Sequence, residues 1–389
     1  MVYKDWKERV VYLIRVNEGG KLFVVLLFLL MFPVSTESAN KEGIPRFSCE
    51  KEIYYTDNIN YADSGSKKSD FALKLLPSLL VKKTEKAMSY KINVGLGYEL
   101  FLNNSPYNNL FGYGTAELKS EVSKKMKLQI LDNYTRTYEP RSVKSLLSAT
   151  VGRFRYDLND LFISLKNNLN EKYSLEFSYS NNLTFISSSA FEDSAANKIY
   201  GRFTNYLREN YNFFIVTGYR NRYFHEGDYY YNNIIFAGIE FSSVKNRHVA
   251  IETGYNYLHG FCGETYDKPY FKLSVSYKRG KNSIWSISCI KDTGASAYDK
   301  SLYDYYGIRF LGNKNISRRI YSRVTFYYEH GRYEEISKKS RIYNLTTELT
   351  YDLTDDVIAF GRYSLESLEA SLDADYVKNT LLLGIRKVF

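Results

Sequence analysis

Residues 342–353 read IYNLTTELTYDL, and apolar and polar side chains alternate along them. The positions from Tyr343 to Leu353 taken two at a time are Tyr, Leu, Thr, Leu, Tyr and Leu, whereas those from Ile342 to Asp352 are Ile, Asn, Thr, Glu, Thr and Asp. Successive side chains of a β-strand point to opposite sides, so this period of two predicts a strand with one apolar and one wet face. A helix would need apolar residues at steps of three and four, which this stretch lacks.

The same alternation recurs from residue 50 to the end of the chain. In 270–278 one face carries Phe271, Leu273, Val275 and Tyr277, and the stretch 173–180 follows the same rule. Segmenting the chain in this way predicts about eighteen strands (16–18), the first over 50–60 and the last over 376–389. The region 139–156 is either a long loop or an irregular strand.

The predicted connections alternate between short and long. Short ones include 82–87, 123–125 and 208–210, whereas 187–196 and 225–231 are long. Outer-membrane barrels have short periplasmic turns and longer extracellular loops, and backbone groups in lipid require a sheet that closes on itself. The sequence therefore predicts an all-β fold, a closed antiparallel transmembrane β-barrel with short periplasmic turns and longer extracellular loops.

Composition agrees with this fold class. Aromatic residues make up 17% of the 389 residues, including 39 tyrosines, and mean hydropathy is −0.39. That is too polar for a helical membrane protein and too aromatic for a disordered chain. The net charge of +10 is compatible with nucleic acid, anionic lipid or an anionic substrate. Because no nucleic-acid module is visible, we expect no nucleic-acid partner.

Three cysteines, Cys49, Cys262 and Cys289, are too few for a disulfide scaffold. Their spacing matches no zinc site, so isolated thiols or one optional bridge are expected, with no metal and no cofactor.

The N-terminal region predicts export. Residues 22–34, LFVVLLFLLMFPV, are thirteen apolar residues that follow Lys21 and precede the small and polar STESAN. A membrane-spanning helix needs about 20 such residues, so the pattern is typical of a signal peptide. We expect residues 1–39 to be the signal peptide and 40–389 to be one barrel domain. An uncleaved single-helix anchor is the alternative.

The C-terminal strand carries a pattern of its own. Counting back from Phe389 by twos gives Lys387, Ile385, Leu383 and Leu381. A terminal aromatic residue with apolar residues on its own face resembles the signal that the barrel assembly machinery reads. We therefore predict Phe389, Ile385, Leu383 and Leu381 as the assembly signal, with outer-membrane lipid and that machinery as partners. Lys387 interrupts the row, and its long stem can snorkel to the interface.

A barrel of about eighteen strands is too wide for side chains alone to fill, so it is expected to enclose water. Charged side chains on the wet face would then line a pore and influence its selectivity. The lumen-facing candidates are Lys74, Glu176, Arg202, Glu240, Glu252, Lys272, Arg323, Glu348 and Arg386.

Three short motifs carry a resemblance to a known family. They are EIYYTDNIN at 52–60, SDF at 69–71 and LPSLLV at 76–81, and the Tyr376-Val-Lys-Asn379 start of the last strand is similar as well. The chain resembles outer-membrane proteins associated with PEP-CTERM/exosortase and exopolysaccharide loci, close to the β-barrel outer-membrane porins. That resemblance implies an outer-membrane barrel linked to export or surface assembly of exopolysaccharide. It implies no catalytic residues.

Three functions remain open at this point. The first is a water-filled pore for polysaccharide or small solutes. The second is a non-enzymatic receptor, adhesin or assembly scaffold that uses acidic, Tyr-rich loops such as Asp228–Tyr231. The third is an outer-membrane enzyme built on His225, His259 or His330, which have Glu226, Glu264 and Glu329 close in sequence. Histidines at a rim are more often ordinary loop residues, so we expect no enzyme.

Overall fold

The computed structural model describes residues 45–63, 65–139, 153–188, 191–225, 227–243, 246–261, 263–279, 283–296, 300–336, 338–371 and 375–389. The signal peptide predicted over residues 1–39 lies outside this part of the chain, as do Glu226 and Cys262. Within the described ranges no helix is long and apolar enough to cross a membrane.

Eighteen β-strands and one short 3-10 turn, Ser105–Tyr107, make up the regular structure of the described chain. The strands are β1 Arg46–Thr56, β2 Asp70–Thr84, β3 Met88–Phe101, β4 Asn109–Glu121, β5 Met126–Thr137, β6 Tyr156–Asn168, β7 Tyr173–Ile186, β8 Ser194–Arg208, β9 Tyr211–Phe224, β10 Tyr229–Ser242, β11 Arg247–His259, β12 Thr265–Arg279, β13 Ser283–Ala295, β14 Leu302–Asn315, β15 Ile320–Tyr333, β16 Lys339–Asp352, β17 Val357–Ala370 and β18 Tyr376–Val388.

Each strand pairs antiparallel with its neighbours in sequence, and β1 also pairs with β18. The closing pair runs from Ser48 opposite Val388 to Thr56 opposite Thr380. The Phe389 amide then donates to the Phe47 carbonyl over 2.8 Å. Because every strand has two partners, the sheet has no free edge, and the predicted closed antiparallel barrel is confirmed.

The wall has an apolar outer face. Phe177, Leu349 and Leu383 are each more than half exposed, at 56%, 51% and 65%. Residues one position away along the same strands point into the barrel, and many are buried there, for example Leu382 beside Leu383. The period of two seen in the sequence therefore separates an outer apolar skin from a polar interior.

The predicted position of the first strand was wrong by four residues. Instead of 50–60, β1 is Arg46–Thr56, because its register with β18 and β2 ends at Thr56. Beyond it Asn58 closes a local turn, with its side-chain amide donating to the Ala62 carbonyl (2.7 Å) and its oxygen accepting from the Ala62 amide (3.0 Å). Residues 57–69, the inserted segment, then turn away from the sheet.

The two ends of the barrel differ in their connections. At one end lie the connections that follow the even-numbered strands, from β2–β3 to β16–β17, and each has two to four residues. At the other end lie the connections that follow the odd-numbered strands, and each has four to eighteen residues. We call these the short-turn end and the long-connection end. Several long connections are shorter than expected because the strands continue into them. The stretch 225–231, for example, was predicted as a loop, yet β10 begins at Tyr229.

A matched pair of substitutions tests which face is apolar. Phe177 points outward and its neighbour Ser178 points inward. We expect Phe177→Arg to lower the free energy of unfolding from lipid vesicles by about 2–4 kcal/mol, since a guanidinium near mid-wall would lie in hydrocarbon. Ser178→Arg should change it far less. Equal losses in urea titrations of the two variants would contradict the assignment of faces.

Candidate functional site: the inner face of the barrel

The nine charged residues singled out from the sequence all lie on the inner face of the wall. Lys74, for instance, lies between Leu73 and Leu75, whose side chains are exposed on the outer face. The other eight occupy the equivalent row of their own strands: Glu176, Arg202, Glu240, Glu252, Lys272, Arg323, Glu348 and Arg386.

Most of the nine are members of ion pairs between inner-face residues. Arg202 bonds Glu240 (2.7 Å) and Lys272 bonds Glu252 (2.9 Å), so each of these pairs joins two of the nine. The remaining bonds are Lys74 to Glu99 (2.9 Å), Arg362 to Glu348 (2.6 Å), Arg386 to Glu50, and the Ser164 hydroxyl to Glu176 (2.7 Å). Arg323 lies opposite Glu348 in the register of β15 and β16.

Several of these inner charges remain accessible to solvent. The side chains of Arg202, Lys272, Arg362 and Arg386 are 31%, 38%, 37% and 45% exposed, although each lies inside a closed wall. If the interior were packed solid with protein, these side chains would be buried. A charged group that keeps a third or more of its surface accessible needs water beside it, because an ionised group without water or a partner is costly. This part of the interior is therefore open to water.

The inserted segment fills another part of the interior. Asn58, Ile59 and Tyr61 are fully buried. Ile59 packs in an apolar cluster with Tyr54, Ala72, Phe101, Phe360 and Leu382, all from the wall around the β18–β1 closure. Tyr61 has a backbone φ of +54°, a left-handed conformation that is costly for a bulky residue and persists only where contacts enforce it.

Glu99 is the centre of a buried polar network beside this segment. It accepts hydrogen bonds from the Tyr54 hydroxyl (2.5 Å) and from the Asn109 amide (2.6 Å), and it pairs with Lys74 and Arg153. Its side chain is 3% exposed and that of Arg153 is 2% exposed. A carboxylate so buried needs each of these partners, because leaving it unpaired would carry a large desolvation cost.

Glu139 extends the network across the interior. It follows the end of β5, yet it bonds Arg153 (2.7 Å) and Lys378 of β18 (2.5 Å), and it also contacts the Tyr61 hydroxyl. Lys378 in turn donates to Tyr61 (2.7 Å). Burial alone would raise the pKa of Glu139, but Lys378 and Arg153 outweigh it and lower that pKa. The inserted segment is thus fixed by charges from both sides.

Sequence reasoning missed four members of this network: Glu99, Glu139, Arg153 and Lys378. Glu99 and Lys378 lie in inward rows, so the alternation that selected Lys74 could have selected them as well. Glu139 and Arg153 lie within the region 139–156, where no period was visible. Their pairing with distant strands depends on closure of the barrel.

A row of cations follows the inner face of β8 and β9. Lys198 lies opposite Arg220 in the register, and Arg222 is two residues further along. Arg220 pairs with Asp292 of β13 (3.1 Å), and Arg222 donates to the Ser194 hydroxyl (2.7 Å). Among the described residues Lys198 has no ion-pair partner within bonding distance, and it is exposed to the interior.

At the long-connection end, ion pairs link different loops. Lys300 contacts Glu192 and also Asp228 (2.9 Å), and Lys268 contacts Glu334 (2.9 Å). Glu192, Asp228 and Glu334 therefore hold neighbouring connections and strands together.

Two of the histidines singled out from the sequence, His259 and His330, have described surroundings. His330 lies on the outer face of β15, whereas its neighbour Glu329 points inward and accepts from the Tyr303 hydroxyl (2.7 Å). His259 stacks on Tyr231, with ring centroids 4.8 Å apart. In the described ranges no group of three or more His, Cys, Asp or Glu could hold a metal ion, and Cys49 and Cys289 are free thiols.

The predicted assembly residues form one outer row at the barrel closure. Leu381, Leu383, Ile385 and Phe389 are 56%, 65%, 51% and 70% exposed on the outer face of β18 and just beyond it. Lys387, which breaks the row, places its ammonium 4.9 Å from the Phe389 ring centroid. A cation–π contact thus accommodates the lysine next to the terminal aromatic residue.

Neither a protein-family model nor a curated protein matches the chain. Among solved structures it is similar to Acinetobacter baumannii OccAB4, with 12% identity, a TM-score of 0.47 and coverage of 90% of this chain and 100% of that one. It is also similar to the outer membrane protein OpdK of Pseudomonas aeruginosa, with 12% identity, a TM-score of 0.47 and coverage of 89% of this chain and 99% of that one. For P. aeruginosa OccK2 (OpdF) in complex with glucuronate the identity is 11%, the TM-score is 0.46, and the match covers 90% of this chain and 100% of that one.

The lowered pKa of Glu139 predicts a response to acid. The ordinary pKa of the group is 4.5, so its ion pairs are fully formed above that pH and are lost only as the pH falls through the lower folded pKa. We expect single-channel recordings of the wild type to be steady from pH 7 to about 5, and Glu139→Gln to show, already at pH 7, the extra current noise of a released inserted segment.

Asp63→Asn is the matched control, because Asp63 lies in the same segment and its described bonds are to the nearby Gly65 and Ser66. Equal noise from Asp63→Asn, or a Glu139→Gln trace identical to wild type, would refute the anchoring role of Glu139.

Proposed function

We propose that this protein spans the outer membrane of a Gram-negative bacterium and forms a water-filled pore for small polar solutes. The observation that carries the proposal is the pairing of an apolar outer skin with solvent-exposed ion pairs inside the same closed wall. Arg202, Lys272, Arg362 and Arg386 can keep water contacts there only if the interior holds an aqueous path.

The closed wall supports the membrane location. Hydrocarbon offers no partners for backbone N–H and C=O groups, so a spanning sheet has to be edgeless, and pairing of β1 with β18 meets that requirement. Strands of 11 to 15 residues are long enough to cross about 30 Å when tilted. The short-turn end then faces the periplasm and the long-connection end faces outward.

Two parts of the interior would control passage. The inserted segment and its Glu99–Arg153–Glu139–Lys378 network narrow the path near the β18–β1 closure. On the opposite wall, Lys198 and Arg220 present positive charge, only part of which Asp292 neutralises. Anionic solutes would move along this cationic row, away from the filled side.

Export or surface assembly of exopolysaccharide is the finer form of this proposal. Its support is the resemblance of 52–60, 69–71 and 76–81 to proteins associated with exopolysaccharide loci. Deleting the protein should then reduce surface polysaccharide, and restoring it should recover the polymer. Unchanged polymer in the deletion strain would leave the pore as a general solute channel.

The receptor or adhesin alternative has weaker support. Its best motif, Asp228–Tyr231, is not a free loop: Tyr229 to Tyr231 begin β10, Tyr230 is 2% exposed, and Tyr231 stacks on Tyr229 and His259. Asp228 is bound to Lys300. Tyr229 is 49% exposed, but it belongs to the outer row of β10 and not to a loop.

Planar-bilayer recording tests the pore directly. We expect stepwise conductance from folded protein and none from a heat-unfolded sample of the same preparation. Folding is checked by heat-modifiable migration on a gel. Folded protein that inserts into the bilayer but conducts no ions, with or without the Glu139→Gln change, would overturn the proposal.

Ion selectivity tests the cationic row. Lys198→Gln removes the charge that lacks a partner, so the reversal potential in a salt gradient should shift toward cation preference. Lys291→Gln is the control, because Lys291 lies on the outer face opposite Phe271 and should leave the reversal potential unchanged. If both variants behave like wild type, the row does not select ions.

A further inference from the structure

Within the described ranges, the outer face of the wall carries one lysine at mid-depth. Lys51 lies near the middle of β1, in the same outward row as Ile53, and its register partners are Ile385 and Leu75. It is exposed, and no hydrogen bond or ion pair joins it to any residue that the structure describes. Hydrocarbon gives an ammonium group no partner, so this position is costly for a barrel surrounded only by lipid.

A carboxylate occupies a similar depth on the same outer face. Asp132 lies near the middle of β5, with Ala116 and Leu161 as its outward register partners. Its one side-chain contact in the described structure is the amide of Asn159, which donates over 2.7 Å. No cation of the described ranges lies within bonding distance of it, so Asp132 and Lys51 are complementary in charge and alike in depth.

The wall around Asp132 differs from a lipid-facing surface. One asparagine on each of the strands β6 to β9 points to the outer face: Asn159, Asn181, Asn197 and Asn221. Hydrogen bonds of 2.9 and 3.0 Å join the last three of them. Leu183 and Phe185 follow Asn181 on the same face towards the end of β7, and Asn159, Asn197 and Asn221 each lie three residues inside the long-connection end of their strands. A band of amides within apolar wall is unusual for contact with lipid and usual for contact with protein.

The strand before Asp132 allows a close approach. The outward positions of β4 next to β5 are Gly112, Gly114 and Ala116, with Ala116 directly opposite Asp132. A Cβ added at Gly114 would meet nothing nearer than 3.9 Å. A second wall could therefore come near the carboxylate without steric clash.

From these features we propose that copies of this chain assemble side by side in the membrane, with Lys51 of one copy paired to Asp132 of the next. The proposal goes beyond the pore function and rests on the membrane location proposed above. The occupant is a second copy because the missing charge on each face is present on the other face of the same chain. The contact is head-to-tail, since β1 meets β5.

The angle between the two faces limits the size of the assembly. Strands β1 and β5 are four steps apart in an eighteen-stranded wall, which separates them by about 80° around the barrel axis. Contacts at that angle close into a ring of three or four copies rather than an open chain.

Charge reversal tests the pairing. Lys51→Asp and Asp132→Lys each place like charges at the contact, whereas the double variant restores opposite charges with the order exchanged. We expect wild type and double variant to give the same ring by native mass spectrometry in mild detergent and by photobleaching steps in supported bilayers. Each single variant should be largely monomeric.

Lys291→Asp is the matched control, because Lys291 also lies on the outer face but pairs with Asp304 within its own chain. It should keep the wild-type stoichiometry. Heat-modifiable migration is recorded for every variant, so that a change in stoichiometry is counted only for folded barrels.

Several results would overturn the assembly: a monomeric wild type, single variants that stay assembled, a double variant that stays monomeric, or a wild type isolated with a different protein on these faces. Conductance is measured in parallel and separates the two proposals. A conducting monomer refutes the assembly alone, whereas an assembled protein that does not conduct refutes the pore alone.

Discussion

Pairing between β1 and β18 is the constraint on which the remaining structure depends. It gives the backbone groups of the first and last strands partners and leaves the sheet without an edge. Once the sheet is closed, each side chain has only two destinations, the outer skin or the interior. Leu73 and Leu75 then lie outside and Lys74 inside, and the inner charges are brought face to face.

The interior combines two environments. Around Glu99 and Arg153 the charges are almost fully buried, and each is satisfied by several partners. A buried ion pair contributes little net stability, because desolvation offsets the attraction, but breaking it is costly. Its physical effect is to fix position, and here it fixes the inserted segment. The ion pairs of Arg202 with Glu240 and of Lys272 with Glu252 remain accessible to solvent. Their members can therefore exchange contacts with water and with a passing solute.

The outer surface is also divided. Most of it is apolar, as lipid requires, but Lys51 and Asp132 depart from that rule at mid-depth. A charge tolerated on an inner row is solvated by the lumen, whereas one on an outer row has to find protein. The same charged residue type therefore has a different energetic cost on each face, and the direction of the side chain decides which cost applies.

The sequence by itself determined the closed barrel class, about eighteen strands and the two faces of those strands whose alternation was clear, because side-chain direction in a strand follows from local alternation. That is why Lys74, Glu252 and Arg386 could be placed on one face without coordinates. Only the tertiary structure decided that the chain leaves the sheet at Thr56 and turns inward, and that Glu139 meets Lys378, 239 positions away. Such contacts depend on the register of every strand pair and on closure of the barrel. A local sequence pattern carries no information about either.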